Sequence, residues 1–181
     1  KGLSSGSNAN KIIVPSGQTL DASNGLTTPA GHVIQVVDKT FTTQTASTST
    51  NYIDVNGASL SITPKFSNSK IFVNFNFSLG FNSGVHYMYG GTQVLRGSTV
   101  LTTSPADGTG NYEVGTAIGS SSSIEVYQRY SHQLIDSPST TSAVTYKLQF
   151  RAYGNTNGTM RVNPGSNSIG TSHIILQEIA G

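Results

Sequence analysis

The sequence has no cysteine, no tryptophan and few charged residues. Without cysteine the chain has no disulfide, no cysteine-ligated zinc or iron–sulfur cluster and no thiol nucleophile. Charged residues make up 10% of the chain, against about 25% in ordinary soluble domains. A net charge of +2 without a cluster of Lys and Arg is too weak for a nucleic-acid footprint. We therefore expect no nucleic-acid partner.

Long apolar runs are also missing. No stretch reaches the roughly 18 apolar residues that a membrane-spanning helix needs, so we expect no membrane insertion. Residues 1–10 have neither a starting Met nor an apolar signal-peptide core, and we expect the chain to be part of a longer polypeptide. The abundant residues are 26 Ser, 22 Thr, 14 Asn and 20 Gly, close to half of the 181 residues. A surface of hydroxyl and amide groups is typical of extracellular fibres and adhesins.

Apolar and polar residues alternate along much of the chain, which predicts strands. The clearest run is 70–80, where Ile71, Val73, Phe75, Phe77 and Leu79 share one face, and 124–135 and 144–152 alternate in the same way. Asn-Gly or Asp-Gly pairs at 24–25, 56–57, 107–108 and 157–158 suit tight turns between such runs. Many short strands with regular turns predict an all-β sandwich or barrel.

Two segments, 32–41 and 173–179, carry apolar residues on both faces of a strand. In the first segment we expect Val33, Val37 and Phe41 to share one face, with Ile34 and Val36 on the other. A strand that is apolar on both faces is buried on both, so we expect a second subunit to cover one face. The alternative is cover by a loop of the same chain. For the subunit interface we select four residues: Val33, Val37, Ile175 and Ile179.

The first 31 residues differ from the rest of the chain. They contain a short apolar patch, Pro15 and several glycines, with too little apolar volume for a core. We expect residues 1–31 to be an extended stalk or lead-in segment and residues 32–181 to be the β-sandwich head. The alternative for residues 1–31 is a flexible linker.

Several segments resemble phage tail fibres. Residues 13–31, with Val14-Pro-Ser-Gly-Gln-Thr-Leu-Asp21, resemble short stalk units. Residues 134–150 and 172–181, together with Ile62-Thr-Pro and Ser69-Lys-Ile-Phe-Val, resemble the terminal domains of tail fibres from marine and cyanobacterial phages. The resemblance covers nearly the whole chain through short motifs. It implies an extracellular location on the virion, a homotrimer, neighbouring fibre or tail proteins, and host attachment. It also implies a jelly roll similar to the C1q and tumour-necrosis-factor heads, without catalytic residues.

The residues that could carry chemistry are scattered. No two of the four histidines have a metal-ligand spacing, the EF-hand pattern is absent, and the eight carboxylates form no evident acid–base pair. Asp107 and Glu113 are the one couple that a single loop brings together, and a turn former beside a solvated charge explains them as well. We therefore expect no enzyme activity, no metal and no cofactor.

Two Gly- and Asn-rich stretches, Ser104–Tyr112 and Gly154–Asn167, are the expected binding loops, since loops store specificity while strands hold the fold. For a shallow sugar site, we expect Tyr112 to stack on the ring, Asp107 and Asn155 to form hydrogen bonds, and Arg161 to attract acidic groups. Tyr87 and Tyr89 are the next candidates, although both also suit strand packing.

The sequence thus predicts an all-β jelly-roll head on a short stalk that binds a host cell-surface glycan or protein. Three alternatives remain. The chain is a structural virion module, such as a capsid decoration or a fibre connector, or a bacterial adhesin or lectin, or a glycan-cleaving spike.

Overall fold

The computed structural model describes residues 16–17, 29–83, 87–102, 114–117, 124–154, 158–164 and 171–181. These residues form eleven strands and no helix, which confirms the predicted all-β fold. The strands are β1 (Val33–Phe41), β2 (Thr45–Ser47), β3 (Ile53–Ile62), β4 (Lys70–Ser83), β5 (Tyr87–Arg96), β6 (Thr99–Val100), β7 (Val114–Ala117), β8 (Ile124–Asp136), β9 (Val144–Gly154), β10 (Thr159–Val162) and β11 (Ser172–Ile179). Most of the expected stalk, 1–31, lies outside the described residues.

The strands pair into two antiparallel sheets. In sheet A, β1 pairs with β11, β11 with β4 and β4 with β8, while β10 and β2 continue the sheet beside the second half of β4. In sheet B, β9 lies between β3 and β5, and β6 and β7 pair with β5. Without the short strands β2, β6 and β10, eight strands remain. Their order is first, eighth, third, sixth in sheet A and second, seventh, fourth, fifth in sheet B, which is the order of a jelly roll.

The inward faces of β4 and β9 show why the sequence forms two packed layers. Their inward side chains have no exposed surface: Ile71, Val73, Phe75, Phe77, Leu79 and Phe81 from β4, and Tyr146, Leu148 and Phe150 from β9. The intervening Phe72, Asn74 and Asn76 are only half-buried. Because strand side chains alternate between faces, these two apolar rows are buried by packing one sheet on the other.

One predicted turn lies inside a strand instead. Asn56 and Gly57 belong to β3, where the pairing with β9 is irregular between Asp54 and Ser59. Gly57 has a φ of +77°, and a Cβ added there would lie 3.3 Å from the Cβ of Phe41. The Asn-Gly pair therefore produces an irregularity within β3 and does not reverse the chain.

A second irregularity changes the prediction for β1. The pairing of β1 with β11 shifts between Val33 and Gln35. As a result Val37 packs against the core, whereas Val33 is 53% exposed. The prediction that Val33 and Val37 share one face is wrong, because the irregularity reverses the alternation of side chains.

A buried carboxylate connects the first and last strands with the segment before β4. The carboxylate is that of Glu178, which has no exposed surface. Its Oε1 accepts hydrogen bonds from Ser69 Oγ at 2.6 Å, Lys65 N at 2.7 Å and Phe66 N at 3.3 Å, and its Oε2 accepts one from Gln35 Nε2 at 2.6 Å. Burial by itself would raise the pKa of Glu178, but these hydrogen bonds outweigh burial and hold the pKa below its ordinary value.

We predict that Glu178→Gln lowers the free energy of unfolding by about 2 kcal/mol at pH 7. The glutamine NH₂ group would take the place of one carboxylate oxygen, and this new donor would face a buried hydrogen-bond donor in place of an acceptor. The folded pKa is lower than the unfolded one, so the carboxylate stabilises the fold above a pH of about 4.3. This stabilisation is lost as the pH falls through the folded value. Urea unfolding should therefore show that wild type and variant converge in strongly acidic buffer. A difference that stays constant with pH would contradict the ionised, hydrogen-bonded carboxylate.

Candidate functional site

Three of the four residues predicted to bind a receptor, Asp107, Tyr112 and Asn155, lie outside the described residues. The fourth, Arg161, lies in strand β10 and not in a loop. The single long loop expected over 154–167 is therefore interrupted by a strand.

The local sequence contained a signal for this strand. Met160 and Val162 are both fully buried, and Arg161 between them is half-buried. Arg161 pairs with Gly80 of β4 and with Ala46 of β2, which places it within sheet A. The glycine and asparagine residues on either side obscured a short alternation of the kind that marks a strand.

The two predicted loops leave the sandwich at different levels. The backbone N–H of Leu101 donates to the carbonyl of Val94 at 2.9 Å, so the described chain before residue 103 ends beside the C-terminal part of β5. The chain leaves β9 at Gly154 and re-enters a strand at Thr159, which pairs with Asn82 near the end of β4. That end of the sandwich is opposite the start of β1.

The face of sheet A that points away from sheet B is called the outer face here. Three successive rows of paired residues cross it from β1 through β11 and β4 to β8: Val36, Gln177, Phe72 and Ile135; then Asp38, Ile175, Asn74 and Gln133; then Thr40, His173, Asn76 and Ser131. Of these three rows, the first is mainly apolar and the other two are mainly polar. A shorter row still nearer the start of β1 joins Val33 and Ile179 to the exposed Lys70.

An apolar patch occupies that end of the outer face. It consists of Val33, Val36, Phe72, Ile135 and Ile179, and this set is called the outer patch below. Val33 and Val36 are each 53% exposed and Ile135 is 61% exposed, while Phe72 and Ile179 are half-buried. Such a group of exposed aliphatic side chains on one face is typical of an interaction surface.

The structure brings only part of the predicted interface to this surface. Ile179 and Val33 lie in the outer patch, Ile175 lies on the same face one row further along, and Val37 points to the core. Ile135 was missed. The signal for it was an isoleucine at the end of an otherwise polar outward row in β8.

The two sheets are joined beside this patch by a polar contact. The Nη1 group of Arg96 in β5 donates hydrogen bonds to both carboxylate oxygens of Asp136 in β8, Oδ1 at 2.8 Å and Oδ2 at 2.7 Å. The hydroxyl of Tyr146 in β9 donates to Asp136 Oδ2 at 2.7 Å. Burial, and next the hydrogen bond to Asp136, raise the pKa of Tyr146 far above its ordinary value. Asp136 thus bridges the sheets as a fixed structural group.

His132 lies on the same face of β8 as Asp136 but contacts a different part of sheet B. Its Nε2 is 2.6 Å from Thr92 Oγ1, and its ring stacks on Phe77 with centroids 5.9 Å apart. The two β8 residues therefore act separately, as their spacing of four along a strand requires.

The described carboxylates that accept hydrogen bonds lie apart from one another. The carboxylates of Asp54, Asp136 and Glu178 each accept hydrogen bonds from different partners in separate places. Within the described ranges, no three His, Asp or Glu side chains are grouped so that they could hold a metal ion. The same part of the chain has no helix long and apolar enough to span a membrane.

We predict that Asp136→Asn lowers the free energy of unfolding by about 2 kcal/mol, because it leaves a partly buried guanidinium without its counter-charge. Asp54→Asn is the matched control, since Asp54 also pairs with a cation, Lys147 Nζ at 2.9 Å, but has a side chain that is 60% exposed. That exposed pair should contribute below about 1 kcal/mol. Urea unfolding at one protein concentration measures both variants. Equal losses would contradict the structural role assigned to Asp136.

No family model and no curated protein matches this chain. Its function is therefore inferred from its fold, its exposed faces and its sequence.

Proposed function

We propose that this chain is the non-enzymatic head of a virion fibre, works as a homotrimer outside the cell, and mediates attachment to a host-cell surface glycan or protein. The observation that carries the proposal is the outer patch, where three aliphatic side chains are more than half exposed. The low-charge composition and the resemblance to tail-fibre terminal domains support the same conclusion.

Self-association is the simplest way to remove the outer patch from water. Fully burying a Val or Ile side chain contributes roughly 1.5–3 kcal/mol. The polar rows beyond the patch contain amide and hydroxyl groups, which can form hydrogen bonds across an interface. The patch is therefore suited to bind another copy of the same chain.

The positions of Val36 and Ile135 favour a cyclic assembly. They lie in the same row, on β1 and β8, and these are the two edge strands at that row of sheet A. In a ring whose axis runs along the strands, the β8 edge of one copy meets the next copy at the same height. Ile135 then contacts the outer patch of the neighbouring copy near Val36. Each copy therefore contributes its β8 edge to one neighbour and its β1 side to the other. The resemblance implies three copies.

In such a trimer the two ends of the sandwich would differ. The outer patch lies where β1 begins, so the lead-in segments of three copies would enter together at this end. At the opposite end β9 finishes at Gly154 and β10 begins at Thr159; the predicted contact residue Asn155 lies between these two positions in the sequence. That end would face the cell in a fibre. Asp107 and Tyr112 remain candidate contacts on the segment that begins beside β5.

The principal alternative is a structural virion module, either a capsid decoration or a fibre connector, without a receptor. It would use the same trimer, so the oligomeric state does not separate the two functions. Binding to cells separates them.

We predict that light scattering after size-exclusion chromatography gives about three times the chain mass of 19.0 kDa. Ile135→Asp should reduce the mass to that of one chain, because an unpaired charge would be buried at the interface. Val100→Asp is the control, since Val100 is 38% exposed on sheet B, and it should remain trimeric.

The labelled trimer should adsorb to cells of at least one susceptible host, and Ile135→Asp should adsorb about tenfold or more weakly through loss of avidity. A wild-type mass of one chain at micromolar concentration would overturn the trimer. A trimer that adsorbs to no cell would favour the structural module.

A further inference from the structure

The face of sheet B that points away from sheet A carries a polar surface that the trimer would leave free. The β9 residues Lys147, Gln149 and Arg151 lie at alternate positions of one strand. Gln149 pairs with Gln93 of β5 on one side and with Asp54 of β3 on the other. We call this group, together with Tyr52, the Arg151 patch.

A chain of hydrogen bonds fixes the amides of the Arg151 patch. Gln93 Nε2 donates to Gln149 Oε1 at 2.6 Å, and Gln149 Nε2 donates to Asp54 Oδ1 at 2.6 Å. Lys147 Nζ donates to Asp54 Oδ2 at 3.0 Å. The hydrogen bond from Gln149, and next that from Lys147, lower the pKa of Asp54 below its ordinary value. Asp54 and Lys147 therefore form a compensated pair of charges.

Arg151 differs from the other cations of this surface. Its guanidinium carbon lies 4.8 Å from the centroid of the Tyr52 ring, which holds the planar group in one orientation. Its Nε is buried without a hydrogen-bond partner, and the nearby carboxylate of Asp54 is engaged by Lys147 and Gln149. Arg151 pairs with Gly91 of β5, so no Cβ competes for the space beside the guanidinium on that strand.

We propose that the Arg151 patch binds a carboxylate-bearing saccharide of the host surface. Arg151 is half-buried; its buried Nε faces the protein, and the two Nη groups of the oriented guanidinium are the donors that can recognise a carboxylate through paired, charge-assisted hydrogen bonds. With Asp54 and Lys147 compensated, Arg151 leaves one net positive charge on the patch, which favours an anionic ligand. The half-buried amide of Gln149 and the carboxylate–ammonium pair of Asp54 and Lys147 suit hydroxyl groups, while the buried Gln93 holds Gln149 in place. The patch offers no aliphatic side chain to a peptide ligand.

This inference rests on the proposed attachment function and gives it a ligand class and a location. Sheet B lies on the side of each sandwich opposite the outer patch. A trimer closed through sheet A would therefore display three Arg151 patches laterally, and weak binding at each would be amplified by avidity on a cell surface.

The test uses the purified trimer and two matched pairs of probes: oligogalacturonate with its neutral methyl ester, and sialyllactose with lactose. We expect at least one acidic probe to bind about tenfold or more tightly than its neutral partner, because the paired hydrogen bonds and the charge are lost together. Added salt should weaken this binding.

Arg151→Gln should raise the dissociation constant of the acidic probe by about tenfold or more. Arg151→Lys should recover only part of the lost affinity, because lysine keeps the charge without the planar donor pair. The control is Lys65→Gln, which removes a cation from the exposed segment before β4 and should change the dissociation constant by less than about twofold. All variants should have the mass and melting temperature of wild type.

Cell adsorption then separates failure of this site from failure of the attachment function. If neither acidic probe binds, if Arg151→Gln binds both as wild type does, or if polyglutamate competes as well as the acidic sugar, the saccharide site is overturned. A second outcome is that wild type adsorbs to cells, Tyr112→Ala abolishes adsorption and Arg151→Gln leaves it unchanged. The attachment function then stands, and the binding site is on the 103–113 segment. If wild type adsorbs to no cell, the attachment function itself is overturned.

Discussion

The fold depends on the burial of one long strand against the opposite sheet. β4 contributes a continuous apolar row from Ile71 to Phe81 to the core, and along its two edges it pairs with β8, β11 and β10. Its position therefore fixes which strands can lie beside it in sheet A. The carboxylates of Glu178 and Asp136 then connect this sheet with the segment before β4 and with sheet B. Apolar burial provides the layers, and these two polar contacts fix their relative positions.

Alternation in the sequence predicted the layers because each strand face is encoded locally. β4 and β9 were recognised without any knowledge of their partners. The faces of β1 were not, because the irregularity between Val33 and Gln35 arises from pairing with β11, which lies at the other end of the chain. The sequence predicts a loop at Arg161 because Met160 and Val162 give only two alternating apolar positions inside a stretch rich in glycine and asparagine.

The two candidate surfaces could not be predicted from the sequence, because each one combines residues from several strands. The outer patch combines residues of β1, β4, β8 and β11, and the Arg151 patch combines residues of β3, β5 and β9. Ile135 and Arg151 look ordinary in their own segments. Only the strand register shows that Ile135 lies beside further exposed aliphatic side chains. In the same way, only the register shows that Arg151 lies beside amides fixed by hydrogen bonds. The two surfaces occupy opposite sides of the sandwich, so the proposed assembly leaves the proposed binding surface free.

The cyclic arrangement through the outer patch is tested most directly by cysteine pairing, because the chain contains no cysteine of its own. Within one chain, positions 36 and 135 are three strand spacings apart, roughly 14 Å, which is too far for a disulfide. Oxidation of the double variant Val36→Cys/Ile135→Cys should therefore give covalent dimers and trimers on a denaturing gel, and each single variant should give few or none. Efficient dimers from a single variant, or monomers alone from the double variant, would contradict the ring.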